Sequence, residues 1–236
     1  MTTTEKELKF RRPVKYKHFM VDCETLGTCP NDNPVLQIAV VEFDPVTFTP
    51  TGKKKTVFLP LVEQLNMGAE ADKNTVAWWG KQNPEVLKDI MDGVNKADCL
   101  ENELMKIYLF VDQICKQEES ADSYHSMFWA KPAAFDYPFI DGLFIKAGTP
   151  SPFNYRNVVD MSSFIISNFL CVHKATKHYD LDYWTAQQLY WNAMDMVKKS
   201  MPKESEAAHD ATNDCKFQIW WLREAILNTN YYLDLL

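Results

Sequence analysis

Two acidic residues, two positions apart, stand at the end of an apolar segment near the start of the chain. The segment HFMVDC (18–23) has the composition of a short buried strand, and Asp22 and Glu24 fall at its end. Residues i and i+2 of an extended chain point to the same side, so both carboxylates would share one face. Adjacent carboxylates repel each other unless a proton or a cation lies between them. The pair is therefore a candidate cation site, although two ordinary surface acids would have the same spacing.

Three further candidates lie in the second half of the sequence. Asp136 lies in the apolar segment AFDYPFI, where an acid is either a helix N-cap or a buried functional group; alone, the segment favours the cap. His209 and Asp214 lie in AAHDATNDC, and on one continuous helix they would point about 140° apart. They converge only if His209 belongs to the segment that enters the helix and Asp214 faces inward one turn later. A single histidine in such a place is more often structural than catalytic.

The bulk composition predicts one globular domain without a membrane span. Of the 236 residues, 46% are hydrophobic and 24% are charged, as in proteins with a buried core. No apolar run approaches the roughly 20 residues of a membrane-spanning helix, and the polar start of the sequence lacks the apolar stretch of a signal peptide. We therefore expect a cytoplasmic protein without a membrane partner, which stays in the cytosol of whatever cell makes it.

The cysteines and the net charge limit the kind of site. The six cysteines include no CxxC pair, so reduced thiols are expected rather than disulfides or a zinc centre. A net charge of −7 is unusual for a protein that binds nucleic acid, but carboxylates that hold divalent cations would meet phosphate through the metal. Basic residues cluster within 6–17 and at 53–55, which is typical of a solvated tail and a hairpin turn.

Strand patterns fill the first third of the chain. The segments 18–23, 35–44 and 55–60 are rich in β-branched and aromatic residues and predict a three-stranded meander. A hairpin turn is predicted between the last two segments, where Pro45, Pro50 and Gly52 lie.

Helical patterns dominate the chain from Asn74 onwards. One helix is predicted behind an N-cap at Asp98 with Glu101 as its capping-box acid, and another over 134–148, ended by Gly148. Apolar residues at helical spacing mark the inward faces of the first of these helices and of a C-terminal helix: Leu100, Leu104, Ile107, Val111 and Ile114, then Ala211, Cys215, Ile219, Leu222 and Ile226.

Short strands predicted over 124–130 and 157–161 lie between these helices. Strands followed by an alternation of strands and helices predict an α/β domain with a mixed sheet. This domain should cover residues 18–236, preceded by a loosely held basic arm over 1–17.

Together, the candidate residues resemble the motifs of a known enzyme family. DxET (Asp22, Glu24, Thr25), FD (Phe135, Asp136) and HxAxxD (His209, Ala211, Asp214) resemble, in this order, the motifs of DnaQ-like exonucleases of the DEDDh type. Each motif alone is weak, but the ordered set is specific, and the resemblance covers about residues 18–225. AWWGKQNPEV (77–86), FDYPF and YRNVVDM (155–161) are similar to the exonuclease A proteins of large tailed bacteriophages and to exoribonuclease-like bacterial relatives.

This resemblance implies an RNase-H-like fold, a mixed five-stranded sheet flanked by helices, and a hydrolase that uses two metal ions. It implies that Asp22 contacts both ions, that Glu24 and Asp214 complete one ion site, and that Asp136 holds the other. It also implies that His209 is the general base for the attacking water. Hard oxygen ligands favour Mg²⁺ or Mn²⁺ over Zn²⁺. The expected reaction is the removal of nucleotides from the 3′ end of a nucleic acid strand.

Contacts to the substrate are implied less fully. By resemblance, Thr25 and Leu26 lie beside the terminal nucleotide, with Leu26 against a base. Trp78 and Trp79 would either stack on bases or pack in the core, and we expect only one of the two to point inward. Many family members have Asn where this chain has Pro132, so contacts near the second motif must differ here.

The sequence leaves three choices open. Single-stranded DNA is favoured as substrate because of the similarity to phage enzymes, and the alternative is an exoribonuclease that acts on short RNA or RNA 3′ ends. A non-catalytic nucleic-acid-binding module on the same fold is less consistent with an intact set of acids and His209. The third choice is between a monomer and a homodimer, and the sequence identifies no protein partner.

Overall fold

Five strands form one mixed sheet in the computed structural model, which describes residues 15–116, 125–177, 180–200 and 209–234. The strands are β1 (Tyr16–Thr25), β2 (Val35–Asp44), β3 (Thr49–Phe58), β4 (His125–Ala130) and β5 (Val158–Asp160). Their order across the sheet is β3–β2–β1–β4–β5. β2 pairs antiparallel with both β1 and β3, whereas β4 pairs parallel with β1 and β5 pairs parallel with β4. The predicted α/β class and five-stranded mixed sheet are confirmed.

Helices cover both faces of this sheet. They are α1 (Leu61–Asn66), α2 (Lys73–Trp79), α3 (Pro84–Lys96), α4 (Leu100–Lys116), α5 (Ala133–Lys146), α6 (Met161–Lys177), α7 (Tyr183–Ser200), α8 (Ala211–Leu227) and α9 (Thr229–Leu233). None of the helices in the described ranges is long and apolar enough to cross a membrane. The predicted inward faces of α4 and α8 are confirmed, since nine of the ten apolar residues are buried and Ile226 is partly buried.

The central strand β1 divides the core into two layers. Its residues alternate between the faces of the sheet, as the period of two for a strand requires. Phe19, Val21 and Cys23 belong to the core that α4 and α5 cover, whereas Met20 belongs to the core under α6 to α9. Asp22 follows the same alternation, and it therefore faces α8.

The connection between β2 and β3 differs from the predicted turn. Residues 45–48 form the turn, and its backbone N–H groups at 46 and 47 donate to the Asp44 carboxylate over 2.7 and 3.1 Å. Pro50 and Gly52, predicted in the turn, lie inside β3, as do the lysines at 53–55. A strand tolerates proline at the edge of a sheet, where its missing N–H needs no partner, and Gly52 (φ +90°) lies near an irregularity in the pairing with β2.

The start of α4 and the beginning of the described chain differ in detail from the predictions. The backbone N–H of Asp98 donates to Glu103, 2.9 Å away, so Glu103 and not Glu101 is the capping acid of α4. The shift follows from the start of the helix at Leu100, which lies later than a cap at Asp98 requires. Residues 1–14 of the proposed arm lie outside the described ranges, and Tyr16 begins β1.

Two helical glycines should respond oppositely to alanine. A Cβ at Gly142 in α5 would meet no atom within 4 Å, whereas one at Gly93 in α3 would lie 2.4 Å from the Phe58 ring. Because alanine favours a helix over glycine by about 1 kcal/mol, Gly142→Ala should stabilise the fold by up to that amount. Gly93→Ala should instead destabilise it by about 1–3 kcal/mol through overpacking. Urea unfolding of both variants measures this, and equal stabilisation would contradict the packing of α3 on β3.

Candidate active site

The first two acids lie at the carboxyl end of the central strand. β1 lies between β2 and β4, and at Asp22 and Glu24 its backbone is paired with β2, beyond Met20, the last residue paired with β4. The side-chain amide of Gln218 in α8 donates to Asp22 Oδ1 over 2.8 Å. Glu24 is buried, at 8% exposure. The proposed common orientation of the two acids therefore places them in the layer between the sheet and α8.

Asp136 reaches the same strand end from the other side of the sheet. It is 3% exposed, and its Oδ1 accepts the backbone N–H of Cys23 over 3.0 Å. Of the two alternatives for this acid, the N-cap that the segment alone favours is wrong, since α5 begins at Ala133 and Asp136 lies in its first turn. Asp160, at the end of β5, accepts the N–H of Ala133 over 2.9 Å and so serves the start of this helix instead. Asp136 is left as a buried acid held against β1.

The last motif bends sharply before α8. Asp210 is the N-cap of α8, and His209 precedes it with a left-handed backbone (φ +69°). This turn lets the backbone N–H of His209 donate to Asp214 Oδ2 over 3.2 Å. His209 thus lies on the segment entering the helix while Asp214 faces inward, as convergence required. Ligand atoms of Glu24, His209 and Asp214 all lie within 4.8 Å of one another.

Electrostatic repulsion links the four acids. Burial, followed by the charges of Asp136, Glu24 and Asp214, holds the pKa of Asp22 well above its usual range. Burial and the Asp214 and Asp136 charges raise the pKa of Glu24 to about 8. Burial raises the pKa of Asp136 to about 7, against the opposing bonds from Cys23. Burial likewise raises the pKa of Asp214. Each acid therefore favours a proton or a cation nearby.

The residues fit a hard divalent cation. Four carboxylates converge from β1, α5 and α8. Two buried thiols, Cys23 and Cys215, are near these charges, and burial raises the pKa of each thiol well above its usual range. Oxygen ligands of this kind suit Mg²⁺ or Mn²⁺, which would relieve the repulsion that otherwise demands protons. Asp136 Oδ1 is already bonded to β1, whereas no bond to its Oδ2 occurs among the described residues.

An open cleft lies beside the acids. It has a volume of about 640 Å³, and its walls include Glu24, Thr25, Trp78, Trp79 and Phe135. A cleft of this size accommodates a small ligand such as a terminal nucleotide.

The two tryptophans have different surroundings. Trp79 is 3% exposed, and its indole N–H donates to the Thr25 carbonyl over 3.0 Å. Trp78 is 40% exposed, and its ring centroid lies 4.6 Å from that of His209 in an edge-to-face arrangement. The expectation that one of the pair points inward agrees with this geometry. Trp78 packs on the imidazole from the cleft side, and Leu26 lies buried below with Trp79 and does not line the cleft.

Sequence reasoning missed the residues that hold the motifs in place. Gln37 is fully buried in β2, where its amide donates to Asp210 over 3.0 Å and its carbonyl accepts the N–H of Ala211 over 2.9 Å. A glutamine inside the apolar run VLQIAVV was the available signal, because a strand buried on both faces rarely contains one without a polar partner. Gln218, the partner of Asp22, sits on a helix of mixed polarity and gave no such signal.

The known proteins to which this chain is similar include exonucleases. A family model described as the 3′-5′ exoribonuclease Rv2179c-like domain matches residues 17–226. An exodeoxyribonuclease of Enterobacteria phage T4 is 22% identical over 222 residues, which cover 88% of each chain. Two structures of E. coli exonuclease I, one as a single-stranded DNA complex and one with a dT13 oligonucleotide, have a TM-score of 0.60 at 12% and 13% identity.

The extent of these matches differs. The matches to the E. coli structures cover 94% of this chain but only 42% and 43% of the E. coli chains. This chain therefore spans about two fifths of their length and shares their fold over that part. The family match extends over nearly all of the described chain and includes every motif discussed above. The chain therefore belongs to the 3′-5′ exoribonuclease Rv2179c-like family, and it is a 3′-5′ exonuclease with the DnaQ-like fold.

Proposed function

We propose that the chain hydrolyses single-stranded DNA from its 3′ end, as a DEDDh-type exonuclease with two Mg²⁺ or Mn²⁺ ions. One observation carries this proposal: four acids from three separate elements, and the histidine on the segment that enters α8, meet beside an open cleft. Charges so arranged are costly to the fold without a cation, and a phosphodiester is the substrate class that such cations serve.

Each of the four acids would have a defined part in binding the ions. Asp22, at the centre of the cluster, would contact both ions; Glu24 and Asp214 would complete one site, and Asp136 the other. When bound, the ions would neutralise charge on the phosphate and make a nearby water more acidic. Gln218 fixes Asp22 through its 2.8 Å hydrogen bond, so that the central carboxylate keeps its orientation before substrate arrives.

His209 would act as the general base. Its imidazole lies against the Trp78 ring and close to Glu24 and Asp214, within reach of a water between the acids and the cleft. It would take a proton from this water as the oxygen attacks the terminal phosphorus. The bond from phosphorus to the 3′ oxygen then breaks, and that oxygen takes a proton from solvent. The products are a nucleoside 5′-monophosphate and a strand shortened by one nucleotide with a free 3′ hydroxyl.

The names of the relatives support both nucleic acids. The phage T4 relative is an exodeoxyribonuclease, and the E. coli exonuclease I structures contain single-stranded DNA. The family description, in contrast, names an exoribonuclease, which supports RNA 3′ ends as the second candidate substrate. We favour DNA because the phage relative matches over 88% of both chains.

The polarity and the sugar preference are tested together with matched oligomers. Incubated with Mn²⁺, 5′-labelled single-stranded DNA should give a ladder of labelled products that shorten with time, faster than the RNA of the same sequence. Duplex DNA should be cut more slowly, since its ends must first be unstacked at a cost of a few kcal/mol. Early release of the labelled 5′ mononucleotide would contradict the polarity, and faster cleavage of RNA would establish the second candidate.

The stability of the metal-free protein should fall with rising pH. Glu24 and Asp136 have folded pKa values of about 8 and about 7, above their ordinary 4.5 and 3.8, so the folded state binds their protons more tightly than the unfolded state. Stability that these protons supply is complete below about pH 4 and is lost as pH rises towards 8. Bound Mn²⁺ replaces the protons, so the increase in Tm that it causes should be larger at pH 8 than at pH 5.5.

This dependence is measured by thermal melts with and without EDTA. Glu24→Gln should flatten the decline of the metal-free Tm with pH, whereas Glu85→Gln on the exposed start of α3 should leave it unchanged. A metal-free protein whose Tm is constant from pH 5 to 8 would show that the acids do not repel one another in the fold.

Replacement of the proposed base should affect turnover rather than metal binding. Asparagine tolerates the left-handed backbone of His209 (φ +69°) better than most residues, so His209→Asn keeps the local fold while removing the imidazole. Its kcat should fall by about 10²–10⁴-fold, as expected from the loss of a general base. His125→Asn on the exposed start of β4 is the matched control and should keep full activity. A fully active His209→Asn would exclude His209 as the base.

A further inference from the structure

A line of exposed residues follows one side of α7. Trp184, Trp191 and Lys198 are seven positions apart, and a helix turns through 700° in that interval, so the three share one side. Trp184 is 76% exposed and Trp191 is 46% exposed. The opposite side of the helix supplies its core contacts through Ala186, Leu189, Tyr190, Ala193, Met194 and Val197. The fold therefore does not require the two indoles to be buried.

The C-terminal end of this line lies close to the active site. Lys131 directly follows β4, and its ammonium lies 5.0 Å from the centroid of the Trp221 ring. After burial, the charge of Lys198 is the strongest influence that lowers the pKa of Lys131, whereas Asp22 and Asp214 raise it. The same Trp221 ring lies 4.7 Å from the ring of Tyr190 in α7, so Lys131 is packed between the acids and α7.

The two lysines suit an anion between them. In the described part of the chain, neither ammonium has a carboxylate partner within ion-pair distance. Lys131 is partly buried, and a neighbouring like charge is unfavourable unless a counter-charge lies near both. A phosphate of the substrate backbone supplies such a charge and joins the lysines to the scissile bond.

We propose that the strand upstream of the cleaved phosphodiester runs past Lys131 and Lys198 and then along α7, with bases stacked on Trp191 and Trp184. This inference rests on the proposed function and adds a binding track for the substrate. A helix rises about 1.5 Å per residue, so Trp191 lies about 10.5 Å and Trp184 about 21 Å from Lys198 along the axis. Stacked bases are about 3.4 Å apart, so only a strand of several nucleotides reaches both rings.

The polar residues of this side favour a nucleic acid over a second copy of the chain. Gln188 lies between the tryptophans, and its side-chain amide donates to Asn192, next to Trp191, over 3.0 Å, so the indoles do not form one continuous apolar patch. Separate aromatic rings on a polar surface that leads to cations are typical of single-strand binding. Asp195, one turn before Lys198, would repel phosphate locally, which places the phosphate on the side of Lys131.

Strand length is the variable that tests this track. Initial rates with Mn²⁺ are measured on DNA oligomers of 3, 6 and 12 nucleotides. Trp184→Ala and Trp191→Ala should each raise the KM for the 12-mer about five- to hundredfold, as expected from the loss of one stacked base. This increase in KM should become smaller as the strand becomes shorter. Tyr231→Ala on α9, 54% exposed and outside the track, is the matched control and should show no dependence on length.

The lysine contact is tested by salt. Lys198→Met should reduce the slope of log affinity against log salt by about 0.7 for the 12-mer, as expected when one phosphate contact of a single strand is lost. Lys88→Met, an exposed lysine of α3, should leave the slope unchanged. An unaltered slope for Lys198→Met would overturn the phosphate contact.

Two results would overturn the track while leaving the proposed function intact. One is a KM for the tryptophan variants that changes equally at every length. The other is a loss of dimer mass in light scattering without any length effect, which would assign α7 to self-association. The proposed function is judged separately by Asp136→Asn, which should abolish cleavage of all three oligomers. Wild-type protein that cleaves none of them would instead contradict the proposed function itself.

Discussion

The mutual repulsion of four carboxylates, two of them buried and two partly buried, is the constraint around which the site is built. Asp22, Glu24, Asp136 and Asp214 each have a raised pKa, and for each the fold supplies burial as the first cause. A protein gains nothing from such a cluster in its stability alone, since buried like charges oppose folding. The arrangement becomes favourable when the acids bind cations. In the metal-free protein, the surrounding structure must hold the acids together against their repulsion.

That holding structure is shared among several elements. The Cys23 backbone holds Asp136 against β1, Gln218 orients Asp22, and Gln37 fixes the start of α8 through Asp210. These contacts join segments more than one hundred residues apart in sequence, so the site forms only with the complete sheet and α8. The left-handed backbone at His209 is a local strain that this framework maintains, as is common at functional positions.

Much of this could be predicted from the sequence, for physical reasons that also explain the failures. Periodicity predicted α4 and α8 because one buried face imposes a regular pattern, whereas the run of β-branched and aromatic residues predicted β2, which is buried on both faces. It misplaced the turn before β3, since an edge strand accepts the proline and glycine that normally interrupt a strand. Asp136 alone looked like a cap because local sequence contains no information on Cys23, 113 residues away, whose backbone N–H holds it as a buried acid against β1.

Proton release on metal binding tests the central claim most directly. Calorimetric titration of the metal-free protein with Mn²⁺ in buffers of different ionisation enthalpy gives the number of protons released. With folded pKa values of about 8 for Glu24 and about 7 for Asp136, binding at pH 6.5 should release more than one proton from these two acids, and binding at pH 9 should release fewer. Binding without proton release at pH 6.5, or no binding at either pH, would contradict a cation site built on mutually repelling carboxylates.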